Sequence, residues 1–451
     1  MAIDAAGHAA RTAELVAALH RGAAAGSAAL ALGKRDSNLF RDRSEGHRQR
    51  LDLSAFCHLL AIDTAAGWVD VEGLMRYEDL VAQTLAHGVM PAVVPQLKTI
   101  TVGGAAAGVG IEATSFRSGL VHDTLLELDV LLPGGEVVHC TPDNRHRDLF
   151  FGFPNSYGTL GYALRLRLRT LPVRPHVRVE HRRYSGPAAF FADLAAQCQG
   201  DPDFIDGVVF GPDQLVANLA WFVDAAPWCS DYGFEHIYYR SLLDRPVDYL
   251  RVQDYLWRWD TDWFWCSKNL YAQQPLVRRL LGRSRLNSRT YTRVMRWNAR
   301  WGVTRRLARW RGRHTESVIQ DVDIPIACAS EFLAFLLREI GILPIWICPV
   351  RGPAPGAEAT LYPLAPDNLY VNFGFWDVVE TAQAHEPGHF NRLVEREVLR
   401  LGGIKSLYSE SYFTRAEFAS AYRMDQYEAL KSRYDPSRRL LDLYQKCVLR
   451  A

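Results

Sequence analysis

The sequence has no CxxC pair and no cluster of cysteines and histidines at metal-ligand spacing; its eight cysteines are scattered along the chain. That excludes a zinc module or a disulfide scaffold, and leaves buried, reduced thiols and no metal as the expectation. No stretch reaches the roughly 18 consecutive apolar residues that a membrane-crossing helix needs. The start, MAIDAAGHAARTAELVAALHRG, is interrupted by His8, Arg11, Glu14 and His20, so no export signal is read there. Neither sign of charge dominates: 52 Lys and Arg against 50 Asp and Glu give a net charge of +2, and bulk charge alone points to no polyanionic partner. A cytoplasmic protein is the expectation. A Rossmann fingerprint is also missing. Gly108 and Gly110 supply a GxG, but Ala113 stands where the third glycine belongs, and Glu112, Thr114 and Ser115 interrupt the helix that should follow.

What remains is a chain of 451 residues, 48% hydrophobic and 23% charged, which is long for a single core and suggests two domains sharing an interface. Its rhythm is α+β. A helix is expected over Thr12–His20, then a short strand in SAALALG followed by the polar loop KRDSNLFRDR. Two strands lie between Leu51 and Glu72, separated by the turn at Asp63–Gly67, and Tyr77–His87 has helical spacing. The stretch VVPQLKTITVGGAAAGVGIEATSFRSG carries glycines at 103, 104, 108 and 110, where backbone can approach a ligand closely and turn N–H groups toward phosphates. ELDVLLPGGEVVHC reads as a hairpin. A second glycine turn, SYGTLG (156–161), leads into LRLRLRT, whose alternation describes a strand with one dry and one wet face. Further on, Gly207–Phe210, Leu215–Trp221, Glu235–Tyr239 and Leu369–Phe375 read as strands, and Phe390–Leu401 as a helix stopped by Gly402 and Gly403.

The order of these parts resembles the FAD-binding oxidoreductases of the vanillyl-alcohol-oxidase-like (PCMH-type) superfamily. The pieces are a loop after the first strand, TVGG (Thr101–Gly104), the pattern LxLxxGGEV around the hairpin, DLF (Asp148–Phe150) and SxGxLG (Ser156–Gly161). Within that group HCTPDN, GTLGY, PIWICP and LYSESYFTRAEF resemble the Δ24-sterol reductases and the bacterial flavoproteins thought to reduce methylene-fatty-acyl chains. The likeness runs from about Ser27 to Lys446 and is firmest between Pro91 and Pro172. It implies an FAD-binding domain over 1–172, a substrate domain over 173–360, and a segment 361–451 that completes the substrate domain and returns to the FAD domain.

The same resemblance implies site residues. Lys34, Ser37 and Asn38 in the first loop would hold the pyrophosphate. So would Thr101, Val102, Gly103 and Gly104, then Gly108, Gly110 and Ile111, with Thr114 and Ser115 closing that loop. Ser156, Gly158, Thr159 and Gly161 would pass beside the flavin and ribose. Tyr370 and Asn372 would meet the substrate. Reducing an alkene needs hydride at one carbon and a proton at the other, so an acid is required, and Lys405, Tyr408, Tyr412 and Glu112 are the candidates. Each also has an ordinary reading, as a core tyrosine with a tethered hydroxyl or a solvated charge. The first loop lacks histidine and the later one lacks both cysteine and histidine, so FAD is expected to be noncovalent. NADPH as electron donor follows from the resemblance alone, since no nicotinamide motif is present. An oxidase of the same fold acting on an alcohol with O₂, and a noncatalytic lipid-binding shell, remain as alternatives.

From Trp263 to His314 there is no acidic residue, while arginines accumulate among Trp263, Trp265, Trp297, Trp301 and Trp310. Three readings fit this pattern: a peripheral contact with the inner face of a membrane, a nucleic-acid surface, or a solvated arginine face packed on the other domain. A lipid substrate favours the first, and no nucleic-acid partner is expected.

Overall fold

Strand alternation builds the first of two large sheets. In a computed structural model, which describes residues 4–23, 29–33, 40–41, 48–302, 306 and 310–450, a parallel pair, β1 (Leu30–Gly33) and β2 (Gln49–Asp52), precedes it. The sheet comprises β3 (Leu59–Asp63), β4 (Trp68–Glu72), β5 (Val89–Pro91), β6 (Leu125–Leu131), β7 (Val137–Cys140) and β8 (Tyr162–Pro172). Its order is β3-β4-β8-β6-β7, with β5 also on β8, and every pairing is antiparallel. The Leu/Arg alternation sits at the centre of this sheet. Leu164, Leu166 and Leu168 are buried. On the opposite face Arg165 and Arg167 share the carboxylates of Asp70 on β4 and Glu127 on β6, at 2.6–3.0 Å. Four charges on three neighbouring strands thus form one closed network, which fixes the register from the wet side as the leucines fix it from the dry one.

The second sheet has eight antiparallel strands: β9 (His176–Tyr184), β10 (Phe204–Gly211), β11 (Gln214–Val223), β12 (Val247–Arg251), β13 (His314–Pro325), β14 (Ile345–Arg351), β15 (Leu369–Thr381) and β16 (Ile404–Lys405). Their order is β12-β9-β11-β10-β14-β15-β13-β16. One face, with Phe373 on β15, packs against the helices Pro187–Gln197, Ala329–Phe335 and His389–Arg400, which bury Phe332, Phe335 and Val398 on it. The other faces the first sheet's domain. A buried arginine locks the two halves together: Arg258 reaches Glu112, in the loop after the first glycine stretch, at 3.2 Å, and Asp206 on β10 at 2.7 Å.

Two expectations change. Glu235–Tyr239 is not a strand; a helical turn begins at Tyr238, and the carbonyls of Phe234 and His236 are taken by the Arg278 guanidinium instead of a neighbouring strand. The cysteines are not uniformly buried, since Cys57 and Cys229 are exposed, although all eight are free thiols. Among the described residues no helix is long and apolar enough to cross a membrane.

Candidate active site

The two glycine stretches, fifty residues apart in sequence, are tied side by side. Tyr157 N–H donates to the Ala107 carbonyl at 2.7 Å and Asn155 N–H to the Gly108 carbonyl at 3.3 Å. The second turn takes an unusual path, with positive φ at Asn155, Tyr157 and Gly158, a geometry that persists only where the surroundings impose it. The C-terminal segment supplies that constraint: Lys446 Nζ donates to the Tyr157 carbonyl at 2.6 Å, and Lys431 Nζ to that of Thr159 at 2.6 Å.

Together these turns form one wall of a cavity of about 480 Å³, within the range of small-molecule and cofactor sites. Thr101, Gly103, Gly104, Gly108, Gly110 and Ile111 line it from the first stretch, and Gly158 and Gly161 from the second. Not every glycine is there for a ligand. A Cβ on Gly103 would come 2.8 Å from the Gly73 carbonyl oxygen, and one on Gly110 would come 2.6 Å from Val121 Cγ2, so at these two positions the close approach is to the protein itself.

Other expected residues lie behind the wall. Val102 is buried in the core. Thr114 Oγ1 donates to the Ala92 carbonyl, Ser115 Oγ accepts from Glu112 N–H, and Thr159 Oγ1 donates to the Ser156 carbonyl. Ser156 is buried with its hydroxyl unpartnered, but it does not line the cavity. The hydroxyls of Thr114, Ser115 and Thr159 are spent on shaping the loops. Lys34, Ser37 and Asn38 lie outside the described residues.

Arg41, at the end of that first loop, is buried and lines the same wall. Its Nη1 donates to the Leu407 carbonyl and to Cys447 Sγ, while Nε and Nη2 are buried with no partner. A buried guanidinium with two unused donors beside a glycine turn is a site for an anion, because an unpaired buried charge is costly. The residues present therefore fit a group that carries phosphate, as FAD does, and Arg41 with the two turns would hold it.

The same cavity is also lined by aromatic and acidic residues. Trp263, Phe264, Trp346 and Trp376 line it, with Phe40 5.6 Å from Trp263 and Phe264 4.5 Å from Trp376, centroid to centroid. From β13, Ser317, Ile319 and Asp321 point in on alternate positions. Asp321 is the group that sequence reading missed. Burial pushes its carboxyl up to about 8 and the nearby Asp323 adds to this, against the hydrogen bond from Tyr408; one carboxyl oxygen, Oδ1, has no partner. Tyr408, also lining the cavity, accepts the Trp376 indole N–H at 2.8 Å, and burial keeps it a neutral phenol. At neutral pH the cavity thus holds a protonated carboxylic acid next to a tyrosine and an indole. The signal that could have exposed Asp321 was the pair of acids inside the apolar strand IQDVDIP, where a charge has no place unless it is used.

The remaining acid candidates are placed elsewhere. Ser406 faces the cavity, but its neighbour Lys405 does not; the ammonium is fully buried on the far side, donating to the Glu410 carbonyl at 2.8 Å and Ser411 Oγ at 2.7 Å. Burial lowers Lys405 and raises its neighbour Glu395. Tyr412 donates to Glu410 at 2.8 Å and is turned away from the cavity. Glu112 lies just behind the wall, and burial raises it to about 7, but its carboxyl is taken by Arg258 and Gln96. Asn372 donates to Asp323 at 3.0 Å, and the Tyr370 hydroxyl accepts Ala365 N–H at 2.9 Å; neither lines the cavity. Of the four acid candidates only Tyr408 is brought to it.

Residues 4–141 match the family described as FAD binding domain. The Δ24-sterol reductase of Homo sapiens is 26% identical over 412 residues, which cover 86% of this chain and 75% of that protein. The Δ24-sterol reductase of Arabidopsis thaliana is 25% identical over 443 residues, covering 90% and 77%. Cytokinin dehydrogenase 7 of Oryza sativa subsp. japonica is 36% identical over 129 residues, covering 29% of this chain and 24% of that protein. A cavity lined by glycine turns, a buried arginine and aromatic rings, in a chain whose residues 4–141 match an FAD binding domain and whose likeness to reductases extends through the second sheet, leads to one assignment: the chain is an FAD-dependent oxidoreductase related to the Δ24-sterol reductases.

Proposed function

We propose that this enzyme reduces an isolated carbon–carbon double bond of a lipid, either a methylene-bearing fatty-acyl chain or a sterol-like side chain, with NADPH as the electron donor. FAD, when bound and once reduced by NADPH, would supply the hydride. The chain's own residues do the rest. Trp263, Phe264, Trp346 and Trp376 exclude water and offer an apolar bed that suits an alkene and no charged substrate. Asp321, held neutral by burial, gives its proton to the second carbon, and Tyr408 with Trp376 orients it. That single neutral carboxylic acid among aromatic rings carries the reading, because an alkene is an uncharged, weakly polar acceptor that asks for an acid already protonated at working pH. The relatives named as reductases support the same direction.

The test is an anaerobic half-reaction experiment. NADPH should bleach the yellow protein, and a lipid carrying an isolated alkene in detergent should restore the colour with one equivalent of saturated product. Rapid peroxide formation with an alcohol would make it an oxidase, and a colourless protein that cannot take up FAD would make it a lipid-binding shell; either outcome overturns the reading.

A further inference from the structure

The exposed apolar side chains of this protein are unevenly distributed. Of the ten large hydrophobic residues exposed among the described residues, seven fall between positions 271 and 310: Tyr271, Leu276, Leu280, Val294, Trp297, Trp301 and Trp310. The same stretch contains eleven arginines and no acidic residue.

The structure separates the anchors of this stretch from its surface. Trp263 and Trp265, just before it, are core residues, and Arg278, Arg283 and Arg289 are consumed by Asp262, Asp231 and Glu78. What is left outside is sorted by helical spacing. On the helix Ser288–Trp301, Tyr291 is buried and Met295, four residues on, lines the cavity. Val294, Trp297 and Trp301 form a second stripe at i, i+3 and i+7, and Arg293 is exposed on a third. On the preceding helix, Pro275–Leu281, Leu276 and Leu280 are exposed at 72% and 74%, one turn apart, beside exposed Arg279.

We infer that residues 271–310 dock this enzyme on an anionic lipid surface. Indole rings and leucines enter the headgroup boundary while arginines meet phosphates, the division of labour of an interfacial helix. A second copy of the chain would bring the exposed arginines of this face, Arg279 and Arg293 among them, against their own copies. A nucleic acid would stack on the indoles but leave Leu276, Leu280 and Val294 without a role. The cavity adds a second reason for lipid: Leu270, Met295 and exposed Val378 line it, together with the polar pair Asn269 and Asp377, and Met295 lies on the helix that carries Val294, Trp297 and Trp301, so the docked face adjoins the cavity. The docking does not depend on which bond is reduced, because vesicle binding reads the surface and flavin re-oxidation by detergent-dispersed lipid reads the chemistry.

The experiment is co-sedimentation of the FAD-loaded protein with vesicles of phosphatidylcholine alone or mixed with phosphatidylglycerol. Binding is expected only to the mixed vesicles, lost at high salt, and lowered about tenfold or more by the double variants Trp297→Ser/Trp310→Ser and Arg279→Glu/Arg293→Glu, with flavin absorbance retained as the sign of an intact fold. Should a variant misfold, quenching of the wild-type tryptophan fluorescence by brominated phosphatidylglycerol gives the same answer. Wild-type protein that stays in the supernatant and is not quenched would overturn the inference. So would retention of full binding by both folded variants, binding to single-stranded DNA in place of vesicles, or a dimer in ultracentrifugation that Trp297→Ser/Trp310→Ser converts to monomer.

Discussion

The Trp376 indole N–H donates to the Tyr408 hydroxyl at 2.8 Å, and both side chains act on the pKa of the buried Asp321 carboxyl, so two adjacent strands and the C-terminal segment meet beside one carboxyl group. The arrangement needs a residue without a side chain beside it. Gly374, paired with Asp321 across β13 and β15, supplies it: a Cβ there would come 2.6 Å from the Trp376 ring and 2.8 Å from Asp321 Oδ1.

Replacing the acid should separate the two half-reactions. Asp321→Asn keeps the shape and removes the proton, and is expected to slow re-oxidation of reduced flavin by the alkene by about 10²- to 10⁴-fold, with reduction by NADPH nearly unchanged. Stopped-flow absorbance on each half-reaction checks this. Equal slowing of both would make Asp321 a structural residue.

The pH profile follows from the direction of the shift. A donor must be protonated, and burial raises Asp321 to about 8. Re-oxidation by the alkene should therefore be flat through neutral pH and fall as pH rises past about 8, and Asp321→Asn should abolish that inflection. A rate that rises across the same range would show a base where we place an acid.

Arg41 has two buried donors without partners, and a phosphate group would satisfy them. Arg41→Ala should weaken FAD affinity by about tenfold to a hundredfold, the usual range for a hydrogen bond to a charged group. Titration of apoprotein with FAD, followed by flavin fluorescence, measures it.

Arg258 and Lys405 make a contrasting pair. Arg258→Ala leaves Glu112 and Asp206 buried without their cation and should cost about 3–5 kcal/mol of stability, read from denaturant unfolding. Lys405→Ala should also destabilise, because Glu395 loses its neighbour at 3.7 Å. Turnover per bound flavin should nonetheless hold in Lys405→Ala, since the ammonium does not reach the cavity; a loss of turnover without a loss of stability would return Lys405 to the chemistry.

The flavin should come away intact. Cys266 lines the cavity, but burial pushes its thiol up to about 12, so the thiolate that would attack a flavin is not present at neutral pH. Acid precipitation of the holoprotein is expected to leave the yellow colour in the supernatant; colour in the washed pellet would show a covalent link.

Much of this molecule was legible along the chain, because it depends on neighbours a few residues apart. The Leu/Arg alternation defined β8, the Pro-Gly-Gly turn defined the β6–β7 hairpin, and Gly402 at φ 68° ended the helix that spacing had marked. The two glycine stretches were visible as well, and so was their order. What local pattern could not carry was direction and distance. Lys405 and Ser406 are adjacent in sequence, yet only the second faces the cavity. Trp263 and Trp297 belong to one Arg/Trp-rich run, yet one is core and the other is 57% exposed. Asp321 carried no local mark until folding placed it on β13 among indoles, because burial, and with it the energy of a proton, is a property of what arrives from elsewhere in the chain.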